Sequence, residues 1–168
     1  MENKSKAVAG ISAVDLYIPE NANIIFGQSH FIKTVEDLSE ILLTGVPGIE
    51  YGLAFCEASG PCLIRLEGNS EELVNAAEEN ARRVAAGHTF FLLIRKAFPI
   101  TVLSQIKACQ ETVSLFAATA NPLQALVCKT SQGCGVIGVV DGSSPAGTET
   151  ESDKAARKEI LRKFGYKF

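Results

Sequence analysis

The 168-residue chain has no tryptophan, one methionine and two histidines, His30 and His88. Chemistry that needs an imidazole therefore has two addresses. No run approaches the roughly 20 apolar residues that span a bilayer as a helix, and the polar start Met1-Glu2-Asn3-Lys4-Ser5-Lys6 leads into no signal-peptide core and cleavage site. The expected location is cytoplasmic, with no membrane partner. Basic residues are not in excess: 16 Lys and Arg stand against 19 Asp and Glu, a net charge of -3. Phosphate binding over a wide footprint needs a basic surplus, so nucleic acid is not an expected partner, and only a local basic pocket is left open. The five cysteines (Cys56, Cys62, Cys109, Cys128, Cys134) are odd in number, and none of their spacings matches the two to four intervening residues of a zinc clip. Reduced, mostly buried thiols are expected, and no metal site. No GxxxxGK[ST] loop is present, so standard nucleoside-triphosphate chemistry has no support.

What is there reads as one globular domain over 1–168, with 46% hydrophobic and 21% charged residues. Loose alternation over Val8–Tyr17 predicts a half-buried strand ending before Pro19, and Ile24–Phe31 a second. Thr34 is the expected N-cap of a helix with Val35, Leu38, Ile41 and Leu42 on one face, closing near Gly45. Ile49–Glu57 and Cys62–Leu66 flank Ala58-Ser59-Gly60-Pro61 as a hairpin. Asn69 with Glu72 has the form of a capping box opening a helix lined by Leu73, Ala76, Ala77, Ala81 and Val84, and those alanines imply a close approach to whatever lies beneath. Gly87 is then the expected left-handed residue that ends it. Thr89–Ile94, nearly all apolar, belongs in the middle of a sheet covered on both faces. Pro99 suits the first turn of a further helix. Strands Thr112–Ala118, Leu123–Lys129 and Val136–Val140 follow, then a helix over Glu151–Phe164. Strands and helices interleave without strict alternation, which gives an α+β fold with helices packed on a mixed sheet.

Gly133-Cys134-Gly135-Val136-Ile137-Gly138 has the glycine spacing of a dinucleotide loop, but β-branched residues follow where that loop must open a helix, so a bend within a hairpin is the better reading. Three polar turns each follow an apolar strand: Glu57-Ala58-Ser59-Gly60, Thr119-Ala120-Asn121-Pro122 and Asp141-Gly142-Ser143. A carboxylate, an amide and hydroxyls converging there would hold a small polyhydroxy ligand such as a ribose, while each alone is an ordinary turn former. His88 has two readings. By residue physics it is a helix-end histidine, worth about 0.3–1 kcal/mol to the helix when protonated; functionally it is a neutral imidazole acting as nucleophile, base or phosphoryl carrier.

Gly27-Gln28-Ser29-His30-Phe31, Val46-Pro47-Gly48-Ile49, the run Gly52 to Gly60, Gly68-Asn69, Ala86-Gly87-His88, the run Phe116 to Pro122 and Gly138-Val139-Val140-Asp141-Gly142 together resemble the adenosine-specific kinase family, in order, from about Gly27 to the closing Leu161–Lys167. The resemblance implies an α+β subunit of a homo-oligomer, trimeric or a multiple of it, that binds adenosine or AMP and carries a stable phosphoryl group on a histidine. It suggests His88, rather than His30, as that carrier, with Arg65 neutralising the phosphoryl group, and Glu57, Ser59, Thr119, Asn121 and Asp141 around the nucleoside. Asp141 or Glu57 is the alternative general base on the ribose 5′-hydroxyl. The sequence departs from the family pattern at Lys129, Ser131, Cys134 and Pro61-Cys62, which leaves Arg65 as the basic residue of that hairpin. A non-catalytic adenosine- or AMP-binding module is the competing reading. One conflict is visible in advance. Pockets of parallel sheets lie at the carboxyl ends of strands, whereas His88 opens its strand, so it can join such a pocket only if that strand runs antiparallel to its neighbours or serves another subunit.

Overall fold

The computed structural model describes residues 10–168; the polar start and the first residues of the strand expected from Val8 lie outside them. The chain runs β1 (Ile11–Leu16), β2 (Asn23–Ser29), α1 (Thr34–Gly45), β3 (Glu50–Cys56), β4 (Ile64–Gly68), α2 (Glu71–Val84), β5 (Thr89–Arg95), α3 (Pro99–Ala108), β6 (Thr112–Thr119), β7 (Leu123–Lys129), β8 (Cys134–Asp141) and α4 (Glu151–Lys163). The α+β class holds. In place of one mixed sheet there are two, a five-stranded sheet in the order β4-β3-β5-β2-β6 and a three-stranded sheet β1-β7-β8. Every strand pair among the described residues is antiparallel, and one parallel bridge, Ala86 to Cys134, joins the α2–β5 connection to β8.

The all-apolar β5 is the centre of the larger sheet, fully buried from Phe90 to Ile94. Alternation sends Phe90, Leu92 and Ile94 to one face with Ile25, Leu53 and Phe55, where α1 and α3 cover them. Phe91 and Leu93 go to the other face with Phe26 and Ala54, covered by α2 and the smaller sheet. Phe26 stacks on Phe91 with ring centroids 4.6 Å apart. Each such side chain removed from water stabilises by about 1.5–3 kcal/mol.

The close approach read from the α2 alanines is present. Ala76, Ala77 and Ala81 are buried, and a Cβ at Gly52 would lie 2.1 Å from the backbone carbon of Leu73. Three cap assignments change. Thr34 is the first helical residue, its hydroxyl donating to the Phe31 carbonyl, and Lys33 takes the cap position. The Asn69 side chain reaches back to the start of β3, accepting from Tyr51 N and donating to Ile49 O at 2.8 Å each, so Ser70 caps α2 without a side-chain bond. At the other end of α2 the left-handed residue is Ala85 (φ 50°); Gly87 is needed because a Cβ there would meet the Ala58 methyl at 2.8 Å. The thiols are all free, but only Cys56 is buried and Cys62 is exposed on the turn between β3 and β4.

Candidate functional site

The strand-direction conflict resolves through antiparallel pairing. Because β5 runs against both β3 and β2, its first residues meet their carboxyl ends. His88 N donates to Cys56 O at 2.7 Å, and Ser29 N donates to His88 O at 2.9 Å. His88 itself is left-handed, at φ 61°. It is therefore not a helix-end histidine: α2 has ended at its Ala85 cap, and the His88 N–H and C=O bond to the last residues of β3 and β2. Its ring stacks on Phe55, centroids 5.9 Å apart and planes at 18°.

The period of two then assembles a row. Phe55 and Glu57 share the face covered by α1 and α3, Arg65 lies opposite Phe55 on β4, and Thr112 lies opposite Ser29 on β6. Glu57, His88, Ser29 and Thr112 thus follow one another across neighbouring strands, about 4.8 Å apart per strand. Glu57 accepts from Leu63 N at 2.8 Å through Oε2 and from Arg65 Nε at 2.8 Å through Oε1. The Leu63 amide first, and the Arg65 guanidinium second, hold its carboxyl below the ordinary range. Arg65, expected to face a phosphoryl group, thus already carries a carboxylate partner.

Sequence reasoning missed the buried charge at the far end of this row. Glu111, only 3% exposed, holds Lys33 Nζ at 2.9 Å and His30 Nε2 at 2.7 Å, the latter with the distance of an ion pair but not the alignment of a hydrogen bond. Lys33 also meets Asp37 at 2.5 Å, and the hydrogen bonds to Asp37 and then Glu111 hold its ammonium above the ordinary lysine range. Ser29 Oγ and Thr112 Oγ1 are buried without a partner among the described residues, where such atoms are normally bonded. The signal for Glu111 was slight, a single acid between a helix and a strand; only pairing with β2 carries it inward.

The second and third turns behave as expected locally and not globally. Asp141 Oδ1 accepts from Thr119 Oγ1 at 2.9 Å and Asn121 Nδ2 at 3.0 Å, and Asn121 N donates to Thr119 Oγ1. That cluster sits at the opposite end of the sheet from His88. Thr119 pairs with Ile24 and Thr112 with Ser29, so about 16 Å of strand separates the two groups. Ser59 stands exposed at the tip of the β3–β4 turn. Seven expected site residues therefore form one group of Glu57, Arg65 and His88, one of Thr119, Asn121 and Asp141, and an outlying Ser59.

A cleft of about 940 Å³ opens between the end of α2, the β3–β4 turn and the β7–β8 bend, lined by Cys56, Arg82, Ala86, Thr130 and Cys134. It lies on the α2 face, opposite the face that carries the His88 ring, with Glu57 and Gly87 on its rim. Burial pushes the Cys56 thiol up, away from the reactive thiolate. Among the described residues no three His, Cys, Asp or Glu side chains gather as metal ligands, and no helix is long and apolar enough to cross a membrane.

The fold and this row define an α+β protein of two antiparallel sheets with a titratable cluster at the end of the larger one. The chain belongs to the adenosine-specific kinase family, whose model, described as "Adenosine specific kinase", matches residues 14–167. The PH1918 protein of Pyrococcus horikoshii, known from a crystal structure, is 42% identical, with a TM-score of 0.90 over 95% of this chain and 98% of its own. No curated protein matches the chain significantly.

Proposed function

We propose that this protein is a cytoplasmic homo-oligomeric phosphotransferase that binds adenosine or AMP and carries the phosphoryl group on His88. The observation that supports it most is the pinning of His88. Its backbone is bonded at both N–H and C=O, its ring lies on Phe55, and Arg65 stands on the same face. A main chain bonded to two strand ends, with the ring stacked on Phe55, lowers the reorganisation needed to present a ring nitrogen. In the transfer, an imidazole nitrogen attacks the donor phosphorus as the bond to the donor's leaving oxygen breaks; the nucleoside hydroxyl, its proton passing to the Asp141 carboxylate, then takes the phosphoryl group as the P–N bond breaks and the imidazole is released. Arg65 neutralises the group, and the Glu57 carboxylate holds the guanidinium fork in place. His30 is the poorer carrier because its Nε2 already faces Glu111.

The nucleoside's ribose falls to Thr119, Asn121 and Asp141, with Ser59 at the rim. About 16 Å exceeds the reach from a ribose to its own 5′-phosphate, so in this reading the two groups come from neighbouring subunits. Calorimetric titration with adenosine and AMP tests the nucleoside, with millimolar affinity or better expected; failure of both to bind overturns the reading. Acid-labile, alkali-stable labelling by a phosphoryl donor tests the carrier. Binding without label would select the non-catalytic module.

A further inference from the structure

Helix α4 is well made and covers nothing among the described residues. It opens with a complete capping box between Thr150 and Asp153, yet none of its residues is buried. Its apolar side chains fall on one side at the carboxyl end, with Ile160 51% and Phe164 63% exposed and Leu161 beside them. A helix of 13 residues is marginal in water by itself, so this one is built for a partner.

A receiving surface exists at the far edge of the larger sheet. The edge strand β4 and α1 enclose a shallow groove lined by Ile32, Val35, Glu36, Ile64, Arg65 and Leu66. Ile32 and Leu66 are exposed there, with Phe31 and Leu63 at the ends. An open edge of this kind is normally covered or blunted. Charge complements shape. Residues 151–168 carry six Lys and Arg against three Asp and Glu, a net +3, which leaves 10 against 16, or −6, on the rest of the chain. Along the groove Glu36, Glu40 and Glu67 form no ion pair among the described residues, and on α4 neither do Lys158, Arg162 and Lys163.

We propose that α4 of one subunit docks in the α1–β4 groove of a second copy of this chain. Helix and groove are different surfaces, so a head-to-tail contact is heterologous and closes into a ring. The linker to α4 starts directly after Asp141, and the groove is bordered by Arg65. Docking therefore draws the Asp141 end of one subunit toward the His88 end of the next. The inference rests on the homo-oligomeric reading above but not on the nucleoside.

Sedimentation velocity on the full chain tests it, with Ile160→Asp/Phe164→Asp on the helix, Leu66→Asp in the groove, and charge reversals Glu36→Lys/Glu40→Lys and Arg162→Glu/Lys163→Glu. The expected result is an oligomeric parent, a shift to monomer in each variant with the melting temperature of the body preserved, and reassembly when both charge reversals are combined in one chain. Dissociation by the helix variants alone overturns the groove as receiver. Persistence of the oligomer in all variants overturns the docking while leaving oligomerisation intact, and a monomeric parent overturns both.

Discussion

His88 lies ring over ring on Phe55, centroids 5.9 Å apart, while its backbone sits at φ 61° between Cys56 O and Ser29 N. Side chain and main chain are thus constrained separately, and substitutions can separate them. Asn tolerates the left-handed region, so His88→Asn is expected to melt within a degree or two of the parent while losing all acid-labile phosphate label. His88→Val, β-branched at the same φ, is expected to cost about 1–3 kcal/mol as well. Thermal melts and labelling of both variants check this; retained label in His88→Asn would move the carrier elsewhere.

Glu57 is held ionised by the Leu63 amide and Arg65, so its folded-state pKa is below its unfolded one. A lowered carboxyl contributes stability that is present above the unfolded value and lost as pH falls through the folded one. Glu57→Gln is therefore expected to flatten the acid limb of the stability profile below the ordinary carboxylate range and to leave the neutral-to-alkaline limb parallel to the parent. Denaturant melts across pH read the difference.

Glu111 is buried and faces both Lys33 and His30, so Glu111→Ala removes the acceptor they share and leaves a gap beneath them, with Lys33 keeping only Asp37. The expected loss is about 1–3 kcal/mol in urea unfolding. Label on His88 is expected to persist in the fraction that remains folded, because the proposed transfer step uses neither His30 nor Glu111.

Gly52 is fixed by space. An added methyl meets the Leu73–Val74 peptide at 2.1–2.2 Å, backbone that cannot swing away. Gly52→Ala is expected to cost on the order of 3 kcal/mol, since overpacking against main chain has no rotamer escape. Gly133→Ala, with open space around it, is the control and should be neutral.

Subunit sharing of the site has its own test. His88→Asn and Asp141→Asn are each expected to abolish transfer to adenosine, and mixed, co-refolded subunits are expected to recover a measurable fraction. No recovery from a mixture shown to be hetero-oligomeric would place the two groups in separate functions.

The sequence by itself determined the elements. The apolar run of β5, the period of the alanine face on α2, Pro99 at the start of α3 and the glycine bend before β8 each state a local preference that the fold keeps. It also delivered the family, through motifs read in order. Only tertiary structure decided what those elements meet. Asn69 looks like a cap in sequence, but its amide is spent on β3, a contact 18 to 20 residues away that no local pattern carries. Gly87 looks like a helix terminator, yet its role is clearance for Ala58. The polar turns look alike along the chain, and antiparallel pairing sends them to opposite sheet ends. Glu111 was invisible for the same reason: a carboxylate's burial is a property of strand pairing, and strand pairing is non-local.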